Sequence, residues 1–190
     1  MQKRTCTRKK PDGDSLDHTI PCLGLIDEAL DMQRRLIGYV GFHEYDGYIP
    51  ILRLRSMLLR PADELRTVIY CLKTGYGYHF ISFEIMNAES RKRWAEVMLK
   101  IFPGDYLQMD KEAKHRVLRL SDKGENPPPR FLFATGVKPM RPISLGHVQE
   151  YLDKSLIPEE ALALCDGCKF VPTKVNFCVY LAKNKRRNQK

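Results

Sequence analysis

The sequence predicts one α+β domain: a mostly antiparallel sheet with helices packed on one face and a C-terminal helix–strand extension. Three observations carry this. Strand-like and helix-like apolar periods alternate along the chain, and Asp46-Gly47 marks an early hairpin. With 190 residues, 43% of them hydrophobic, there is enough chain for one packed core but not for two large ones. The domain is expected to span residues 21–182, with a core at 37–135 and an extension at 136–182. A basic arm (1–20) precedes it and a basic tail (183–190) follows.

Residues 1–20 hold a Pro-Asp-Gly turn and no apolar period, and are expected to be disordered. From Leu25 to Leu36, the positions Ile26, Ala29, Leu30 and Gln33 share a helical face. Two extended runs, Ile37–Tyr45 and Tyr48–Met57, flank the Asp46-Gly47 turn. Pro61 is placed to open a helix, with Leu65, Val68, Ile69 and Leu72 on its stripe. A strand rich in glycine and tyrosine then runs to Met86. Asn87 can cap a helix burying Trp94, Val97, Met98 and Ile101, which Pro103-Gly104 ends. Short strands are expected at Val117–Ser121 and Arg130–Ala134. A helix capped by Ser144 should run to Leu156, a shorter one should start at Pro158, and Phe170–Leu181 reads as a closing strand.

The net charge is +9, and its placement is informative. Lys3, Arg4, Arg8, Lys9 and Lys10 at one end, and Lys183, Lys185, Arg186, Arg187 and Lys190 at the other, supply ten of the 32 basic residues; none of the 23 acids lies in either segment. The body is thus nearly neutral. The arms, including Lys9, Lys10, Arg186 and Arg187, can add salt-sensitive phosphate affinity without base selectivity, or serve solubility alone. No apolar run approaches the roughly 18–20 residues of a membrane helix, and no hydrophobic region follows the basic start. The expectation is a soluble intracellular protein with no membrane partner, cytoplasmic, or nuclear in a eukaryote. Cys165-Asp166-Gly167-Cys168 has the shape of a zinc knuckle and Cys178 follows it, but a fourth ligand would have to come from a distant Cys22 or His147. Packing cysteines are the expected reading. No Walker loop, His-x-His pair, Gly-x-Ser-x-Gly elbow or His-Glu-x-x-His motif occurs.

The stretch from Lys73 to Glu84 concentrates the chemistry. Gly75 and Gly77 allow close backbone approach, Tyr76 and Tyr78 offer stacking faces, and His79 can hydrogen-bond a phosphate and titrate near neutrality. The same residues also fit a packed strand, since His79 shares its face with Ile81, Phe83 and Ile85.

Gly75-Tyr76-Gly77-Tyr78-His79-Phe80 resembles the aromatic strand motif of the RNA-recognition module, with Tyr39-Val40-Gly41-Phe42 similar to its partner strand. That resemblance implies an RRM-like sheet on which Tyr39, Tyr76, Tyr78 and Phe80 stack on bases. A second resemblance is to the archaeo-eukaryotic primase superfamily. Thr74-Gly75-Tyr76-Gly77-Tyr78-His79 is similar to its glycine-rich turn leading to a histidine, and Glu44-Tyr45-Asp46 to its acidic pair. On a strand Glu44 and Asp46 point to one side and can share Mg²⁺ or Mn²⁺. The resemblance then implies that His79 holds an incoming triphosphate, with Asp110 or Asp122 as the third acid. It extends to the basic strand and loop from Arg116 through Arg119 to Lys123 and Gly124. If the acidic motif aligns instead on Leu52-Arg53-Leu54-Arg55, both acids are arginines, and a non-catalytic accessory subunit is implied. The expected function is binding of single-stranded DNA or RNA, or of a template–primer, in replication or nucleic-acid processing, with residues 136–182 available to a replication-protein partner. An active primase-polymerase is the alternative, and a virion or scaffold protein with basic tails a further one.

Overall fold

The computed structural model describes residues 19–103, 116–123, 125–137, 139–162 and 169–183. In chain order the elements are β1 (Thr19–Ile26), β2 (Glu28–Leu30), β3 (Leu36–Asp46), α1 (Ile51–Leu65), β4 (Val68–Lys73), β5 (Gly77–Met86) and α2 (Ala88–Ile101). There follow β6 (Val117–Arg119), β7 (Arg130–Gly136), β8 (Ile143–Ser144), α3 (Leu145–Asp153), α4 (Glu159–Leu162), β9 (Phe170–Val171) and β10 (Phe177–Lys183). The fold is α+β and its sheets are mostly antiparallel. The larger sheet runs β2-β3-β5-β4-β7, with β8 paired to β5 and β9 to β8, and a smaller one runs β10-β1-β6.

Four predicted elements are replaced. The helix expected over Leu25–Leu36 is β1, β2 and a tight turn, because two aspartates impose other bonds. Asp27 is fully buried and accepts the Arg116 backbone N–H at 2.7 Å and Arg91 Nε at 2.7 Å. Asp31 accepts the backbone N–H groups of Gln33 and Arg35, both at 2.9 Å, around Arg34 in the left-handed region (φ 66°). The strand expected over Tyr48–Met57 is the start of α1. Leu52 and Leu54 alternate with Arg53 and Arg55 in strand fashion, yet Leu54, Leu58, Ala62 and Leu65 form the buried helical stripe. Pro61 lies inside α1 rather than opening a helix. Val68, Ile69 and Leu72, assigned to its stripe, belong to β4. The run Phe170–Leu181 is likewise two strands, β9 and β10.

With α1 in place, β3-α1-β4-β5-α2 forms a strand–helix–strand–strand–helix unit in which β5 lies between β3 and β4. Both helices lie on one face. Leu54 and Leu58 of α1 and Trp94, Val97 and Met98 of α2 pack there against Cys71, Tyr78 and Phe80. The opposite face, with Phe42, Leu72, Ile81 and Phe83, is covered by Leu25 of β1, Leu118 of β6 and Val148 and Tyr151 of α3. Part of the segment 136–182 thus completes the core.

Helix α2 starts as expected: Asn87 Oδ1 accepts the Ser90 N–H at 2.8 Å. Asn87→Ala should therefore cost about 1 kcal/mol of stability by denaturant unfolding, and an unchanged midpoint would show the cap to be idle. Among the described residues, no helix is long and apolar enough to cross a membrane.

Candidate nucleic-acid interface

Strands β4 and β5 are joined by a tight turn. The Thr74 N–H donates to the Gly77 carbonyl at 2.9 Å, and the Gly77 N–H donates back to Thr74 Oγ1 at 2.9 Å. The Gly47 N–H donates to the Tyr76 carbonyl at 3.1 Å and ties this turn to the end of β3. The glycines serve close approach of protein to protein: a β-carbon on Gly77 would collide with the Tyr45 carbonyl, and one on Gly75 with the Asn126 side chain. The result is a fixed hairpin tip from which the Tyr76 side chain projects, 74% exposed.

Beside the tip sits the loop after β6. Lys123 and Asn126 exchange backbone hydrogen bonds at 2.9 and 3.1 Å. Arg119 braces the loop by donating to the carbonyls of Ser121 at 2.6 Å and Pro127 at 3.0 Å. Burial lowers the Arg119 pKa, although Cys22, Glu44 and Asp122 oppose it. Ser121 Oγ accepts the Leu23 N–H at 2.9 Å, anchoring the loop to β1.

Register places Glu44 of β3 directly opposite His79 of β5, and Nε2 of the buried His79 ring lies 3.4 Å from Glu44 Oε1. The Glu44 side chain is 48% exposed at the rim. Burial pushes its carboxyl up, but His79, Lys123 and Arg119 together outweigh that and hold it below the ordinary range. The Cys22 thiol is pushed up by burial, against Lys123 and Arg119 and with Glu44 and Asp122. Glu44, His79 and the segment holding Arg119, Asp122 and Lys123, far apart in sequence, are thus neighbours in space.

Asp46 closes β3 opposite Gly77, on the Glu44 side of the strand. Among the described residues, no three His, Cys, Asp or Glu side chains gather as a metal site would need. A metal centre on Glu44 and Asp46 would need a further carboxylate, and Asp110 lies outside the described residues. So do Lys9, Lys10, Arg186, Arg187, Cys165 and Cys168, and the side chain of Cys178.

Other expected contacts are redirected. Tyr78 and Phe80 lie under the helices, 3% and 0% exposed, and present no ring to a base. The Tyr78 hydroxyl donates to the Ile49 carbonyl at 2.7 Å. Tyr39 is half-buried, with the Arg91 guanidinium 4.3 Å from its ring centroid. Arg116 is buried at the start of β6, where its backbone serves Asp27, so it is not a surface phosphate contact. Two residues not singled out from sequence stand at the same end: Lys73 and the exposed Tyr48. The signal for Tyr48, a tyrosine after Asp-Gly, is masked by the strand expected over 48–57, and that for Lys73 by its place at the start of the glycine-tyrosine stretch. Compared with models of known protein families, with curated proteins and with solved structures, the chain matches none.

Proposed function

We propose that the protein binds single-stranded nucleic acid at the hairpin end of its larger sheet, as a non-catalytic accessory or binding module. One observation carries this reading: the exposed Tyr76 ring stands on a tight, hydrogen-bonded glycine turn whose Gly75 lies against Asn126, in the loop that also carries Lys123. An exposed aromatic on the same end of the sheet as basic side chains is the combination that holds a base and its phosphate. The strand–helix–strand–strand–helix order also supports it, since it removes the intervening strand that separated this chain from an RRM-like arrangement. The stacking role passes from Tyr78 and Phe80 to Tyr76. The exposed Met140 and Phe170 of the C-terminal extension remain available to a protein partner.

Fluorescence anisotropy with labelled single-stranded DNA and RNA tests the reading. Tyr76→Ala should lose about 1–3 kcal/mol of binding with its unfolding midpoint unchanged. Wild-type protein that binds neither polymer would end the proposal.

The 3.4 Å approach of His79 to Glu44, on the strand face that also carries Asp46, favours a second reading, metal-dependent nucleotidyl transfer. There Glu44 and Asp46 would hold Mg²⁺ or Mn²⁺, which would stabilise attacking and leaving oxygens. Primer extension lost in Glu44→Ala/Asp46→Ala would establish it, and no extension by wild type would dismiss it.

A further inference from the structure

On the helix side of the hairpin end, three cations and the rings of Tyr48, Tyr78 and Phe133 form a surface the sequence motifs do not mark. Lys73 closes β4, with Tyr78 opposite it on one side and Arg130, the first residue of β7, on the other. Ile69 and Cys71 of β4 face the helices, so Lys73 and Arg130 continue that face to its rim. The Lys73 Nζ lies 4.4 Å from the Tyr78 ring centroid and 6.0 Å from that of Tyr48, which is 79% exposed. The Arg55 guanidinium lies 5.9 Å from the ring centroid of Phe133, which stands opposite Cys71.

None of these three cations is ion-paired among the described residues, and α1 carries no acid before Asp63. Ring contacts orient Arg55 and Lys73 while leaving their charge uncompensated. Unneutralised cations along one rim, next to a bare tyrosine ring, match a phosphodiester backbone with an unstacked base. Charge alone would suit an acidic peptide as well, but the exposed ring of Tyr48 calls for a planar partner.

We infer that Arg55, Lys73 and Arg130 form a second phosphate-binding surface for single-stranded nucleic acid, with Tyr48 stacking on a base. This rests on the hairpin reading above and extends it: the strand crosses the tip at Tyr76 and is held on both sides of it. The site takes single strands because a base stacked between its neighbours in a duplex has no free face to offer Tyr48.

The test is anisotropy with labelled oligothymidylate of about 16 nucleotides, the upper site size for one binding module, read across a salt series. The proteins are wild type, Tyr76→Ala, Tyr48→Ala and the triple variant Arg55→Gln/Lys73→Gln/Arg130→Gln, with circular dichroism as the folding check. The triple variant should bind at least tenfold more weakly, and its slope of log affinity against log salt should be shallower by about 2, at about 0.7 per phosphate contact. Tyr48→Ala should weaken binding with the slope unchanged. Triple-variant binding equal to wild type, or weaker with an unaltered slope, overturns this surface and leaves the hairpin reading to Tyr76→Ala. If wild type does not bind, both readings fall. Displacement by polyglutamate together with an inert Tyr48→Ala would mean a general polyanion surface and also overturns the inference. Should the triple variant fail to fold, Arg55→Gln alone, at an exposed helix position, should shift the slope by about 0.7, and no shift refutes the surface.

Discussion

Phe80→Ala is expected to lose about 3–5 kcal/mol of folding stability, the range for deleting a buried phenylalanine. The ring is fully buried, with its centroid 4.5 Å from that of Phe102, 5.9 Å from that of His43 and 6.3 Å from that of Tyr78. Both helices close over it, so the cavity left by truncation could not readily collapse. Tyr76→Ala, two turns of the pleat away, should leave the unfolding midpoint where it is. Chemical denaturation of the two variants separates a buried strand position from an exposed turn position. A Phe80→Ala protein as stable as wild type but deficient in oligonucleotide binding would reverse the assignment of β5's faces.

Acidification is expected to have a comparable effect. His43 is buried with Nε2 donating to the Phe102 carbonyl at 3.1 Å. His147 is buried with Nε2 at 2.9 Å from the Ile26 carbonyl and Nδ1 at 2.7 Å from Ser144 Oγ. Burial lowers both from 6.5 to about 4. Unfolded, each takes its proton near 6.5; folded, each waits until about 4. The unfolded chain therefore binds more protons throughout that window, and stability is retained above it and falls as pH descends through it. At about 1.4 kcal/mol per pH unit for each histidine, the loss reaches a few kcal/mol apiece. Asp27 and Glu84 work in the opposite sense. Burial raises both, against Arg91 and the Arg116 N–H for Asp27 and against Thr67 and Arg141 for Glu84, so each takes its proton earlier in the folded state and offsets part of the loss. Denaturant unfolding at several pH values between 4.5 and 7 measures the balance. His147→Gln should reduce the slope by one proton, and a stability curve flat from pH 7 to 5 would contradict neutral burial of the pair.

Strands β3 and β5 and helix α2 were legible because their signals are local: an apolar run, a glycine turn, an asparagine cap. The stretch from Leu25 to Leu36 was not, since Asp27 is satisfied by Arg91 and Arg116, more than 60 residues away. Helix α1 was obscured by leucines and arginines that alternate with a period of two over one turn. Residue spacing does show that Tyr78 and Phe80 share a face. Which face receives the helices depends on packing, and that decided their fate. The same holds for the site. Glu44 and His79 were each recognisable, but their meeting is a matter of strand register, and Lys73 gains meaning only when β7 brings Arg130 beside it.

The pairing of β1 with β10 sets Thr19 opposite Lys183. The two ends of the described fold therefore lie side by side at one corner. Under the proposed nucleic-acid reading, the basic sequences beyond that corner, residues 3–10 and 185–190, would act as two arms on one polyanion. Once one arm has met a polyanion, the other sees it at a local concentration on the order of millimolar for a short link, so the second contact is intramolecular. Removing either arm would then abolish the avidity that both create, and single-arm deletions would resemble the double deletion far more than half of it.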